Sequence, residues 1–120
     1  MISLTEDNRM LGYESLHLYS DIFHFVTTRH GGVGGGTYAS FNCSHYCGDE
    51  PGNVRENRAR LLGGFPQPPI ELIVPVQTHG VEILHIEDSF HTLPAARKEE
   101  LLHGIDAVMT SAPGYCICVS

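Results

Sequence analysis

The chain is short of positive charge and has no long apolar run, and both deficits narrow what it can do. Seven Lys and Arg residues stand against fourteen Asp and Glu in 120 residues, a formal charge of −7. Nucleic acid and anionic membrane surfaces attract a basic face, so neither is expected as a partner. No apolar stretch approaches the roughly 20 residues that span a bilayer. Met1-Ile2-Ser3-Leu4-Thr5-Glu6-Asp7 lacks a basic segment leading into an apolar one. The expected location is cytoplasmic, with small molecules or proteins as partners. The common Cys-x2-Cys zinc knuckle is also missing: the four cysteines fall as Cys43-x3-Cys47 and Cys116-x-Cys118. In a reducing compartment they stay thiols. A zinc site built from Cys43, Cys47 and one or more histidines is one reading of the first pair. Cys116 and Cys118 share one strand face at period two and read as small buried hydrophobes. No internal repeat or low-complexity tract interrupts the chain.

What is present suits one small domain, with an apolar content of 42% that is ordinary for a globular protein. Ile22-Phe23-His24-Phe25-Val26-Thr27-Thr28 has the β-branched and aromatic content of a strand. The spacing of 49–62 predicts a helix, with Pro51 near its start, Val54, Arg58, Leu61 and Leu62 at helical intervals and Gly63-Gly64 as its stop. Glu71 to Gln77 reads as a strand interrupted by Pro75. Val81 to Ile86 reads as a second strand, partnered with the first through Gln77-Thr78-His79-Gly80. Ala95 to Leu102 is helix-forming, Ile105 to Thr110 is strand-like, and Tyr115 to Val119 reads as a buried strand. Short strands and helices alternate without a clean βαβ rhythm, which favours an α+β fold with mixed sheets flanked by helices. A buried strand with no following turn or polar tail leads us to expect the natural polypeptide to continue past Ser120.

Two places carry candidate chemistry. After the strand at 22–28 comes Arg29-His30-Gly31-Gly32 and a glycine-rich loop to Gly36. Such a loop can bring backbone N–H groups close to an anion while Arg29 supplies a two-pronged charged donor; it can equally be a plain flexible hairpin loop. No Gly-Lys-Ser/Thr follows, so it is not a Walker loop, and no helix-compatible run follows directly, as a dinucleotide fingerprint requires. The second place is His79, one of eight histidines, set at a corner between two strands. It is a candidate metal ligand or general base, with a structural turn histidine as the alternative.

Along the chain stand, in order, Thr27-Thr28-Arg29-x-Gly31-Gly32-Val33, Tyr38-x-Ser40-x-Asn42, Gly48-Asp49, Val54-x2-Asn57-Arg58, Gln77-x-His79-Gly80, Asp106-Ala107 with Thr110, and Pro113-Gly114. This order of motifs resembles the first half of the YfiH-type family, also known as the laccase-domain, polyphenol oxidoreductase or purine nucleoside phosphorylase family. The resemblance spans about residues 23–119. It implies that residues 1–120 form the N-terminal half of a single YfiH-like domain. It also implies a zinc site of His, Cys and His in which His79 is the first ligand and the other two lie beyond Ser120, with zinc rather than copper as the metal. The implied activity is phosphorolysis of purine nucleosides (adenosine, inosine, guanosine, methylthioadenosine), with adenosine deamination as a second activity. In that reading Arg29 helps to hold phosphate or a ribose-linked anion, and Ser40 and Asn42 supply uncharged hydrogen-bond partners. The fragment alone, with one ligand of three, is expected to be inactive. Between Asn42 and Gly48 the chain departs from the family pattern: His45 stands one place early, and Tyr46 takes the usual histidine position. Alternatives from other classes are a non-catalytic metal-binding scaffold and a copper-dependent phenol oxidase.

Overall fold

The computed structural model describes residues 1–120, which divide into two units, Met1–Pro68 and Pro69–Ser120. In the first, β1 (Ile2–Ser3), β2 (Met10–Gly12) and β3 (Val26–Thr27) form an antiparallel sheet in that order. Met10 pairs with Thr27 and Leu11 with Val26. The strand expected over 22–28 is thus only its last part. Its partner β2 ends at Gly12, and Glu14–His17 turns away as a single helical turn, α1, so residues 22–25 have no ladder to join. Their rings go elsewhere: Phe23 and Phe25 pack on Phe65, with centroids 4.9 and 5.3 Å apart.

The expected central helix forms as α2, Pro51–Gly63. Proline at its first turn lacks only an N–H that would have no helical partner there, and its φ is already helical. The buried face is Val54, Asn57 and Leu61, at positions i, i+3 and i+7. Asn57, not Arg58, occupies the middle of that stripe. Instead of lying on a sheet through a wholly apolar stripe, α2 uses Asn57 to grip loop backbone at Val33, Ser40 and Asn42.

The second unit holds β4 (Glu71–Ile73), β5 (Ile83–Ile86), α3 (Ala95–Leu102), β6 (Ala107–Thr110) and β7 (Tyr115–Ile117). The expected pairing of β4 with β5 does not occur. Instead β4 runs parallel to β7, with Leu72 opposite Cys116, and β5 runs parallel to β6, with Leu84 opposite Val108. Pro75 has no N–H for a ladder, and the corner at His79 has φ +60°, so the chain leaves β4 without making a hairpin turn. Parallel pairing needs a crossover, and α3 supplies it between β5 and β6. One βαβ unit is therefore present inside a fold that is α+β as a whole. Ile73, Ile86 and Phe90 form the core of this unit, with Leu84, Leu93, Leu101, Leu102, Val108 and Tyr115 packed around them. Lys98 bonds Glu71, tying α3 to β4. Ile117 of β7 is 41% exposed and Val119, two residues beyond it, 69% exposed, where the sequence suggested a buried strand through Val119.

Candidate functional site

The glycine-rich loop folds back on residues 38–41. Gly34 N–H donates to the Ser40 carbonyl at 2.9 Å, and Ser40 and Phe41 N–H both donate to the Arg29 carbonyl, at 2.8 and 3.1 Å. A Cβ on Gly32 would lie 2.1 Å from the Ser40 carbonyl oxygen, so glycine there is required by close backbone approach. The Ser40 hydroxyl donates to the Arg29 carbonyl at 2.8 Å and accepts from Gly32 N–H at 3.2 Å. The amides of Gly32, Val33 and Gly34 are therefore turned inward to Ser40 and Asn57. They hold the loop closed, and the sequence-based picture of loop amides cradling an anion does not apply to these three.

Arg29 is placed differently. Its Nε donates to the Ala39 carbonyl at 3.1 Å, which fixes the guanidinium plane, while its two terminal nitrogens make no hydrogen bond within the chain. The guanidinium borders an open depression of about 450 Å³ lined by Arg29, Thr37, Tyr38, Ala39, Phe41 and Asn42. Arg29 and Asn42 line this depression, and Ser40, which does not, lies in the same loop system through its bond to the Arg29 carbonyl. Asn42 is engaged in the next turn: its Nδ2 reaches Asp49 Oδ2 at 3.1 Å and the Ser44 carbonyl at 3.2 Å, and its Oδ1 accepts from Ser44 N–H. Arg58 donates to the Cys43 carbonyl at 2.7 Å. Partial burial, then the positive charges of Arg58 and Arg55, push the neighbouring His45 imidazole below its usual pKa.

The residue that organises this wall is Asn57, a position given no role by sequence reasoning beyond its place in a motif. It is fully buried; Oδ1 accepts from Val33 N–H at 2.9 Å, and Nδ2 donates to the carbonyls of Ser40 at 3.1 Å and Asn42 at 2.8 Å. An amide side chain in phase with Val54 and Leu61 was the available signal, since a polar group on a buried stripe must be satisfied by something. A second clamp supports the first. Arg9 pairs with Asp7 at 2.7 Å and donates to the Arg60 carbonyl, and Arg60 donates to the Gly31 carbonyl.

His79 lies in the second unit, apart in the chain from the Arg29 loop. Its backbone is left-handed, with φ +60°, which for a histidine must be held by its surroundings. Asp106 does this, accepting from His79 N–H at 2.8 Å and Gly80 N–H at 2.7 Å. The Gly80 bond, then that of His79, holds the Asp106 carboxyl below its usual pKa. With its backbone pinned, the His79 imidazole is exposed and makes no hydrogen bond within the chain. Asp106 is the other residue missed in its role, and nothing local reveals it, because 26 residues separate it from Gly80. Beside this corner Gln77 Oε1 accepts from Ser120 N–H at 3.0 Å. Nowhere do three His, Cys, Asp or Glu side chains converge on a common point, so Cys43 and Cys47 gain no further ligand.

No helix is long and apolar enough to cross a membrane. Among known proteins, the chain is 54% identical over its whole length to a purine nucleoside phosphorylase of Bacteroides thetaiotaomicron, covering 44% of that protein. It is 37% identical over 82% of its length to a purine nucleoside phosphorylase of Haemophilus influenzae, covering 36% of it. It is 31% identical over 80% of its length to adenosine deaminase RL5 from an unknown prokaryotic organism, covering 37% of it. The chain thus spans less than half the length of these relatives. Residues 23–120, including the Arg29 loop, the Asn57 latch and the His79 corner, match the family described as multi-copper polyphenol oxidoreductase laccase, and the chain belongs to that family.

Proposed function

We propose that the chain is the N-terminal half of a cytoplasmic, zinc-dependent purine nucleoside phosphorylase, with adenosine deamination as a second activity. The names of its relatives support the reaction class. The observation that carries the site is the corner at His79: a free imidazole on a backbone pinned by Asp106, with Ser120 held two residues away on Gln77. The resemblance to the family assigns the remaining two ligands to sequence outside residues 1–120, with His79 as the ligand present here. The donor fits zinc, which takes neutral imidazole nitrogen. Zinc held by three protein ligands with one open position supplies Lewis acidity toward a substrate oxygen.

Within the first unit, taken by itself, a second set of residues suits the substrates of that reaction. Arg29, with its plane fixed by Ala39 and its terminal nitrogens unused, holds an oxyanion in two-pronged fashion, as phosphate requires. Tyr38 and Phe41 give the same depression an apolar wall suited to a nucleoside's flat base. Ser40 and Asn42, whose polar groups already bind the loop, hold the Arg29 backbone and the rim in place beside the ligand. Orthophosphate and purine nucleosides are the partners; the acidic surface disfavours nucleic acid and anionic membranes.

The test is release of free base from adenosine and inosine by the full-length protein, beside Arg29→Gln and His79→Ala. Release that requires phosphate, is abolished by His79→Ala, and shows a raised phosphate KM in Arg29→Gln supports the reading. Inosine formed from adenosine without phosphate assigns deamination as the main activity. Phenol oxidation with tightly held copper and no nucleoside turnover overturns the proposal in favour of the oxidase implied by the family's name.

A further inference from the structure

The sheet of β5 and β6 is largely apolar on both faces, and only one of them is covered. Its parallel register sets Leu84 opposite Val108 and Ile86 opposite Thr110 on one face, and Ile83 opposite Ala107 and His85 opposite Met109 on the other. The first face is the inner one: Ile86 is buried, and Leu84 and Val108 pack against the core together with Leu101 and Leu102 of α3. The second face is open, with Ile83 64% and Met109 56% exposed and His85 and Ala107 exposed beside them.

A parallel pair with a bare apolar face is incomplete. Parallel strands are joined by crossovers that lay helices on the sheet, and parallel sheets occur almost only with both faces covered. The crossover between β5 and β6 is α3, and its leucines serve the inner face. A cover for the outer face must bring apolar side chains, either from a second copy of the chain or from the same polypeptide outside residues 1–120. A second copy loses translational and rotational freedom on association, which a segment of the same polypeptide does not. The relatives have length enough for such a segment. The purine nucleoside phosphorylase of Bacteroides thetaiotaomicron matches all 120 residues of this chain, yet the match takes up only 44% of that relative.

We propose that the outer face of β5 and β6, centred on Ile83 and Met109, is an intramolecular docking surface for apolar side chains of the polypeptide outside residues 1–120. The proposal rests on the reading of residues 1–120 as half of a longer polypeptide, and not on the reaction assigned to it. Methionine oxidation tests it without any substitution, since peroxide reaches an exposed thioether and converts it to the sulfoxide. Met10, fully buried, and Met1, exposed, are the internal controls. In native full-length protein Met109 should oxidise at least about tenfold more slowly than in the same protein unfolded in urea, like Met10 and unlike Met1. Met109 oxidising as fast as Met1 overturns the proposal, and so does protection that is lost on dilution. To trace the protection to its source, a photo-crosslinking phenylalanine analogue replaces Ile83 in the full-length protein. A crosslink within one molecule to a peptide outside residues 1–120 supports the proposal; a crosslink to a second molecule, or only to residues 1–120, overturns it. A natural protein whose intact mass is that of 120 residues ends the half-polypeptide reading and this proposal together, whereas a freely oxidised Met109 in a longer protein ends this proposal alone. Nucleoside turnover is read in neither measurement.

Discussion

Replacing Asn57 with leucine keeps its branched heavy-atom skeleton, in a bulkier side chain, and removes every polar contact it makes. Three loop groups lose their partner: Val33 N–H, the Ser40 carbonyl and the Asn42 carbonyl. Each hydrogen bond is worth about 1 kcal/mol net, and a buried group left unsatisfied costs about 1–3 kcal/mol. Val33 is 37% exposed and Ser40 and Asn42 half-buried, so water recovers part of that loss. The lower figure applies, giving a destabilisation of about 3 kcal/mol. Urea unfolding of the full-length protein measures the total. Amide exchange at Val33 locates it: about 3 kcal/mol less protection is roughly a hundredfold faster exchange. Asn57→Asp separates the contacts, because a carboxylate still accepts from Val33 N–H but cannot donate to the two carbonyls. A loss below about 1 kcal/mol in Asn57→Leu, with Val33 exchange unchanged, would refute the assignment of Asn57 as the latch of this loop.

Three further outcomes follow from the same contacts. Gly32→Ala places a methyl 2.1 Å from the Ser40 carbonyl oxygen and 2.6 Å from Phe41 Cα, backbone atoms that cannot swing aside; it should cost about 3 kcal/mol or more and weaken phosphate binding, as thermal unfolding and the phosphate KM would show. Asp106→Asn keeps the shape but replaces the carboxylate that accepts from His79 and Gly80; zinc content of the purified full-length protein should fall, and unchanged stoichiometric zinc would show that the turn holds itself. Asp7 has its carboxyl held down to about 2 by the Arg9 side chain, then its backbone N–H, so its contribution to stability is present above about pH 4 and lost as pH falls toward 2. Asp7→Asn should flatten the stability profile across that acid window and leave its neutral limb parallel to the original.

The elements whose signals are local were legible without a structure. Proline at the start and paired glycines at the end bounded α2, and Ala95 to Leu102 became α3 with the expected limits. Arg29, Ser40 and Asn42 were readable as one group because one loop carries them. Asn57 left a weaker trace, visible only as a polar break in an apolar stripe.

What tertiary structure alone decided was pairing and direction. The sequence marked β4 and β5 as neighbours in the chain, but each found a later, parallel partner, since strand pairing depends on residues some 24 to 44 positions away. The glycine-rich loop was legible as a place of close approach, while the direction of its amides, inward to Ser40 and Asn57, was not. The sequence named His79; Asp106, from a distant segment, sets its backbone. Short-range sterics and propensity are written residue by residue, whereas hydrogen bonds between distant segments exist only once packing has brought their partners together.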